Sequence, residues 1–213
     1  MFSCFRKKNI VSPIESINEP INGGTIERIK NVKKLEFCNF NYPVINLPNS
    51  IESIDFCYSN GFNHSLDNLP IGLKELVLNS RFNQPLDYLP HGLEILKFQT
   101  GSIFTHYLNN LPNTLKILEI PLLYNQEINN LPECLQELRI GVKIMKNDDV
   151  CYLPEGFDYC ANDTIIFFDK KIKNLPKNLK KVFVFDEYMH IADLKQKLGE
   201  KLYIISKETY IKK

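Results

Sequence analysis

The feature that most constrains this chain is a Leu-Pro dipeptide that recurs seven times at a nearly fixed interval. The pairs begin at Leu47, Leu69, Leu89, Leu111, Leu131, Leu153 and Leu175, so successive leucines are 22, 20, 22, 20, 22 and 22 residues apart. A unit of this length is too short to bury its own apolar side chains, and neighbouring units must stack to form a core. The interval therefore predicts a solenoid of stacked units.

Each unit predicts a strand on one side and a tight turn on the other. The run after each proline ends in an alternation such as Leu76-Val77-Leu78, which is typical of a strand with one buried face. The spacing of three from Leu86 to Leu89 suits a 3₁₀ or single helical turn before the proline. The predicted fold class is an α/β repeat solenoid, with a parallel β-sheet on one face and loops and 3₁₀ or short helical turns on the other.

The interval also divides the chain. Residues 1–30 do not keep it and contain Pro13, Pro20 and Gly23-Gly24, which predicts an irregular N-terminal cap. Residues 31–185 form about seven repeats. Residues 186–213 are expected to form a C-terminal cap of one helix, with Ile191, Leu194 and Leu198 at helical spacing, followed by a strand.

A column of asparagines follows the aromatic residue that opens most units. Its members are Asn41, Asn63, Asn83, Asn125 and Asn147. One interpretation is a structural ladder, in which these side chains turn inward and bond the backbone of adjacent loops, because an amide offers both donors and an acceptor. The other is that asparagine only marks a turn. The sequence leaves both open.

These columns resemble the FNIP repeat, a relative of the leucine-rich repeat (LRR) that is abundant in social amoebae and in giant viruses that infect amoebae. The resemblance is carried by Phe62-Asn63, by Phe82-Asn83-Gln84-Pro85-Leu86 and by Tyr124-Asn125, each followed by its Leu-Pro, and it extends over residues 31–185. The unit with Lys146 in place of the aromatic departs from it, as does the stretch after Pro154. The resemblance implies a curved, LRR-like solenoid used for protein contacts, and it implies no chemistry. Relatives with an F-box would be substrate adaptors of a ubiquitin ligase, but residues 1–30 show no F-box.

Composition favours an intracellular protein without an affinity for nucleic acid or membrane. The formal net charge is +1, from 26 basic and 25 acidic residues, so no bulk attraction to polyanions is expected. The six cysteines include no Cys-x-x-Cys pair and no signal peptide precedes them, which indicates reduced thiols. We expect a cytoplasmic location, in the host cytoplasm if the protein is viral.

No pattern points to catalysis. His64 and His106 share a column but lie two units apart, roughly 10 Å by strand spacing, which is too far for both to bind one zinc ion. The chain has no glycine-rich phosphate loop and no Gly-x-Ser-x-Gly motif. We therefore expect no catalytic residue, no cofactor and no metal.

The outward positions of the predicted strands form the candidate protein-binding face. They are Glu36, Asp55, Val77, Lys97, Glu119, Arg139 and Phe183. Charges of both signs alternate along this row, so Lys97, Glu119 and Arg139 could pair laterally. The sequence predicts a non-enzymatic protein–protein interaction module. A ubiquitin-ligase adaptor and a self-associating structural repeat protein remain as alternatives, and the partner and the oligomeric state do not follow from the sequence.

Overall fold

The computed structural model describes residues 14–99, 101–121, 123–141, 143–144, 150–151, 168–186 and 188–205. The strands are β1 Ile14–Ile17, β2 Lys34–Cys38, β3 Ser53–Tyr58, β4 Glu75–Leu78, β5 Ile95–Phe98, β6 Ile117–Ile120, β7 Glu137–Ile140, β8 Lys143–Ile144, β9 Val150–Cys151, β10 Lys181–Phe185 and β11 Leu202–Ile205. The helices are α1 Gly23–Ile29 and α2 Ile191–Leu198, and a 3₁₀ turn spans Gly199–Lys201.

Within these residues, nine strands form one parallel sheet in the order β1-β2-β3-β4-β5-β6-β7-β10-β11. The chain is a parallel-strand solenoid of about eight turns, which confirms the predicted fold class. We call one strand with its connecting loops a rung. Alternate strand residues point inward, so that Leu76, Leu96, Leu118 and Leu138 lie side by side, each 0% exposed.

Each Leu-Pro step within the described residues is followed by a hydrogen-bonded turn that leads into the next strand. The amide of the residue three positions after the proline donates to the proline carbonyl, as in Leu73 to Pro70 and Leu93 to Pro90, both at 3.0 Å. The proline has no N–H of its own, so the turn leaves no donor unsatisfied at its first position. The expected 3₁₀ segments before Leu-Pro are absent from the described repeats, where hydrogen-bonded turns flank the dipeptide instead.

The aromatic column is a continuous stack through the core. Centroid distances are 6.0 Å from Phe40 to Phe62, 6.2 Å from Phe62 to Phe82, 6.3 Å from Phe82 to Phe104 and 6.1 Å from Phe104 to Tyr124. All five rings are at most 1% exposed. Because Phe62, Phe82 and Phe104 each contact one ring above and one below, the column fixes the spacing of the loops as the sheet fixes that of the strands.

The N-terminal cap differs from the irregular segment that the sequence indicated. Over the described residues 14–30 it is a regular strand and helix, in which β1 pairs with β2 and supplies one more rung before the first expected repeat. Asn22 caps α1 by accepting a hydrogen bond from the Thr25 amide at 3.1 Å. The C-terminal helix and strand lie where the sequence placed them, as α2 and β11.

The repeat array also differs at its sixth unit. Neighbouring strands elsewhere in the sheet are offset by about twenty residues, but β10 pairs directly with β7, so that Lys181 lies opposite Glu137. The strand expected after Leu153-Pro154 therefore does not lie between them, and the expected array of consecutive rungs is wrong at this point. The chain leaves β7 through an antiparallel pair, β8 with β9, and the stretch after Pro154 that departs from the repeat lies, up to residue 167, outside the described residues.

Substitution of Gly72 tests how tightly neighbouring rungs approach each other. A Cβ atom at Gly72 would lie 2.3 Å from the carbonyl oxygen of Asn49 on the preceding rung, whereas one at Gly92, the same position one unit later, would meet nothing closer than 3.5 Å. We expect Gly72→Ala to lower the free energy of unfolding by about 1–3 kcal/mol. Gly92→Ala should leave it unchanged or raise it by up to about 1 kcal/mol. Chemical denaturation of both variants checks this, and equal effects would contradict the close approach at Gly72.

Candidate interaction surface

The face of the sheet opposite the core carries two outward columns. The central column is the predicted binding face: Glu36, Asp55, Val77, Lys97, Glu119, Arg139 and Phe183. Strand register places its members in one row across β2 to β10. The second column, two residues earlier in each strand, contains Lys34, Ser53, Glu75, Ile95, Ile117, Glu137 and Lys181.

The central column is accessible over its first half and closed over its second. Glu36, Asp55, Val77 and Lys97 are partly exposed. Glu119 is 4% exposed and Phe183 is 8% exposed, so the expectation that both present their side chains to a partner is wrong. Phe183 is stacked on Tyr203 of β11 at a centroid distance of 4.8 Å, which removes it from the open face.

Arg139 links the carboxylates at the closed end. Its Nε lies 2.6 Å from Glu137 Oε1 and its Nη1 lies 3.2 Å from Glu119 Oε2, and its own side chain is only 13% exposed. The lateral pairing expected between Glu119 and Arg139 is present. Lys97 instead pairs with Glu75, at 2.9 Å.

A third row, just before the strands, alternates in charge from rung to rung. It runs through Lys33, Glu52, Lys74, Glu94, Lys116, Gln136 and Lys180. Glu52 contacts Lys33 at 2.7 Å and Lys74 at 3.0 Å, and Glu94 contacts Lys116 at 2.7 Å. Hydrogen bonds from Lys33 and Lys74 lower the pKa of Glu52 to about 2. These exposed pairs order the side chains along the edge but contribute little stability.

Three apolar side chains interrupt the charges. Val77, Ile95 and Ile117 lie on consecutive strands of the same face, each partly exposed, and we call them the apolar patch. Sequence reasoning included Val77 and missed both isoleucines. The alternation of strand residues between two faces could have identified them. Ile95 and Ile117 each stand one residue before an inward leucine, Leu96 or Leu118, and must therefore point outward.

Substitution of Lys97 tests the charge arrangement beside the apolar patch. Burial acts to raise the pKa of Glu75, but hydrogen bonding and charge from Lys97, with a bond from Ser53, hold that pKa below its ordinary value. This carboxylate therefore stabilises the fold above the ordinary carboxyl pKa, and its contribution is lost as the pH falls through the lowered value.

Lys97→Met should raise the pKa of Glu75 because burial then acts with less opposition. Carbon-detected NMR titration of the carboxyl group measures the pKa directly. Lys116→Met is the matched control, since Lys116 pairs with Glu94 and should leave Glu75 as it was. An unchanged pKa in Lys97→Met would contradict the pairing.

The asparagine column joins rungs through side chain to backbone bonds. Asn63 Oδ1 accepts from the Asn83 amide at 2.8 Å, and Asn83 Oδ1 accepts from the Thr105 amide at 3.0 Å. Asn41 and Asn63 are exposed, while Asn83 and Asn125 are partly buried, so these side chains lie along the loop surface. Asn125 Oδ1 is buried without a hydrogen-bond partner in the described part of the chain, on the rung that leads into β7, the strand that pairs directly with β10. Asn147 lies outside the described residues.

The two column histidines have structural contacts. His64 Nε2 lies 3.2 Å from the carbonyl oxygen of Asn41, and His106 Nε2 lies 3.2 Å from that of Asn83. Each imidazole packs against the aromatic ring of its own rung, Phe62 or Phe104. No group of three or more potential metal ligands occurs among the described residues.

Two depressions in the described part of the chain are open grooves between rungs. One, of about 430 Å³, lies beside the charged row and is lined by Glu94, Asn113, Thr114, Lys116, Cys134, Gln136, Asn178 and Lys180. Another of about 430 Å³ lies at the first Leu-Pro corners, around Leu47 and Leu69. Among the described residues, Cys38, Cys57 and Cys134 form no disulfide. In the part of the chain that the structure describes, no helix is long and apolar enough to cross a bilayer.

The stacked rungs and this face define an LRR-like repeat solenoid. The FNIP Repeat family model matches residues 62–101, where Phe62-Asn63 and Phe82-Asn83 open two successive rungs, and it confirms the predicted FNIP repeat over these residues.

A solved structure is also similar: the crystal structure of CroV588, a giant-virus protein described as a novel circular LRR protein structure. The identity is 19% and the TM-score 0.39, and the match covers 94% of this chain and 41% of that chain. The present chain thus spans about two fifths of the length of that protein. No curated protein matches.

Proposed function

We propose that this chain is a non-enzymatic protein-interaction module, and that a protein partner binds the strand face over β2 to β5 and the adjoining Ile117 of β6. The observation that carries the proposal is the apolar patch of Val77, Ile95 and Ile117 set among ion-paired charges on a continuous sheet. Protein interfaces combine an apolar centre with a polar rim in this way. The repeat family and the LRR-like solenoid support the general role of an interaction scaffold.

The charge distribution favours a protein partner over a nucleic acid. The row before the strands alternates in sign, and Lys33, Lys74 and Lys116 are held by carboxylates of neighbouring rungs at 2.7–3.0 Å. A nucleic-acid surface would instead carry a stripe of one sign. The proposal includes an intracellular location, which rests on the described cysteines forming no disulfide and on the family resemblance.

The test compares two double variants in affinity capture from the native cell. Val77→Lys with Ile117→Lys adds two charges to the apolar patch, and the matched control, Ile45→Lys with Tyr88→Lys, adds the same charges at exposed positions on the Leu-Pro side. A protein captured by the wild type and by the control, but lost from the patch variant, supports the proposal. Its purified form should then bind the wild type directly. Equal capture by all three would overturn the assignment of the face.

A further inference from the structure

The two ends of the sheet are built differently. At the first strand, Glu15 occupies an inward column, opposite Leu35. Its carboxylate is held by Arg28 Nε at 2.8 Å, and the same guanidinium binds Glu19 at 2.8 Å. An inward-pointing charge on an edge strand is a device that prevents another strand from adding to the sheet. The N-terminal end is therefore closed.

The last strand, β11, presents an apolar end instead. Leu202 and Ile204 occupy the inward columns, opposite Val182 and Val184. Ile204 is 38% exposed, whereas Val184 in the same column is 1% exposed. The inward columns thus end at β11 in apolar residues, whereas at β1 one of them ends in the charged Glu15.

At Leu202 and Ile204, the backbone N–H and C=O groups of β11 also point away from β10, toward the outer edge of the sheet. In a parallel pair, the N–H and C=O of one residue face the same neighbour, and successive residues alternate. The amide of Asp186 donates to the carbonyl of Ile205 at 3.0 Å, so Tyr203 and Ile205 face β10. Leu202 and Ile204 consequently direct their amide and carbonyl groups to the outer edge, where no other described strand lies.

We propose that β11 pairs antiparallel with β11 of a second copy of this chain, about a two-fold axis at Tyr203. In this register Leu202 of one copy faces Ile204 of the other, and both have outward backbone groups, so each such pair can exchange two hydrogen bonds. Their side chains lie on the core side and join the two apolar columns. This self-association stands apart from the proposed partner on the strand face.

The outward side chain at the axis is also self-complementary. Tyr203 is 42% exposed and is stacked on Phe183, with Lys181 Nζ 6.0 Å from its ring centroid. On the axis, it meets Tyr203 of the second copy in the non-hydrogen-bonded position, where cross-strand side chains are closest. The aromatic row Phe183–Tyr203 then continues across the dimer.

A head-to-tail arrangement, in which β1 of a second copy pairs with β11 of the first, fits less well. Its β1 would place Glu15 in the column of Leu202, where the charge would have to be desolvated. The tail-to-tail arrangement buries no charge. Because a four-residue strand provides much less area than the ~1,200–2,000 Å² of a stable interface, we expect a dimer whose population depends on protein concentration.

Sedimentation equilibrium over a range of concentrations tests the dimer. The average mass of the wild type should rise toward twice that of the chain, and Ile204→Lys should shift the dissociation constant upward by at least ~10-fold. The control Tyr88→Lys adds the same charge at an exposed tyrosine on the Leu-Pro side and should leave it unchanged. A mass that stays monomeric at all concentrations, or equal effects of the two variants, would overturn the proposal.

The arrangement of the two copies is tested by a cysteine at the axis. Non-hydrogen-bonded antiparallel partners have Cα atoms ~4.5 Å apart, within the range that a disulfide spans. Under mild oxidation, Tyr203→Cys should give a dimer linked between the two residues 203, identified by mass spectrometry of the cross-linked peptide. Tyr88→Cys is the control and should give none. Linkage of residue 203 only to the native cysteines would exclude the two-fold axis.

Discussion

Replacing Phe82 by alanine is expected to lower the free energy of unfolding by about 3–5 kcal/mol. Phe82 is 0% exposed and lies between the rings of Phe62 and Phe104, at 6.2 and 6.3 Å. Its loss leaves a cavity in the middle of the aromatic stack. The loops on either side cannot close over it, because their distance is fixed by the paired strands.

Chemical denaturation followed by circular dichroism measures the loss, with Tyr88→Ala as the control. Tyr88 is 71% exposed, and its truncation should change stability by less than about 0.5 kcal/mol. Because each rung contacts only its neighbours, hydrogen exchange should show the largest loss of protection in β4 and β5. A loss in Phe82→Ala of less than about 1 kcal/mol would contradict the role of the stack.

Leu96→Ala is expected to cost about 2–5 kcal/mol by the same mechanism in the sheet. Leu96 is 0% exposed and lies in register with Leu76 on one side and Leu118 on the other. Ile95→Ala is the matched control, since Ile95 is the preceding residue of β5 and lies on the opposite, partly exposed face. We expect the control to lose clearly less, and equal losses would mean that the inward and outward columns do not differ as described.

The comparison of Leu96 with Ile95 also indicates how far function and stability can be separated. Ile95 belongs to the apolar patch, so its truncation should lower the affinity for the proposed partner while leaving the fold largely intact. The side chain of Leu96 is buried in the core, so it cannot contact a partner bound to the outer face. A binding loss in Leu96→Ala that exceeds the fraction unfolded would place the contact surface elsewhere.

Several features of the site followed from residue type and spacing, and others did not. The row from Glu36 to Phe183 was predictable because strand residues alternate between two faces. Its closure at Glu119 was not, because the burial of that carboxylate beside Arg139 depends on how a long side chain folds across two strands. Val77 of the apolar patch was predicted, and Ile95 and Ile117 were predictable from the same alternation. The pairing of Lys97 with Glu75 instead of Glu119 required the positions of three strands at once.

The sequence by itself determined the periodic part of this protein. Leu-Pro pairs at intervals of about twenty residues and alternating leucines permit few structures other than a stacked parallel coil, because no unit can bury its apolar side alone. The tertiary structure alone decided which units stack. The unit with Leu153-Pro154 keeps the interval, yet β10 pairs with β7, since pairing depends on the contacts available between whole rungs. It also decided that, in the described sheet, a charged residue, Glu15, stands in an inward column of the first strand while Ile204 leaves the last strand apolar, because which strand lies at an end depends on how the rungs stack.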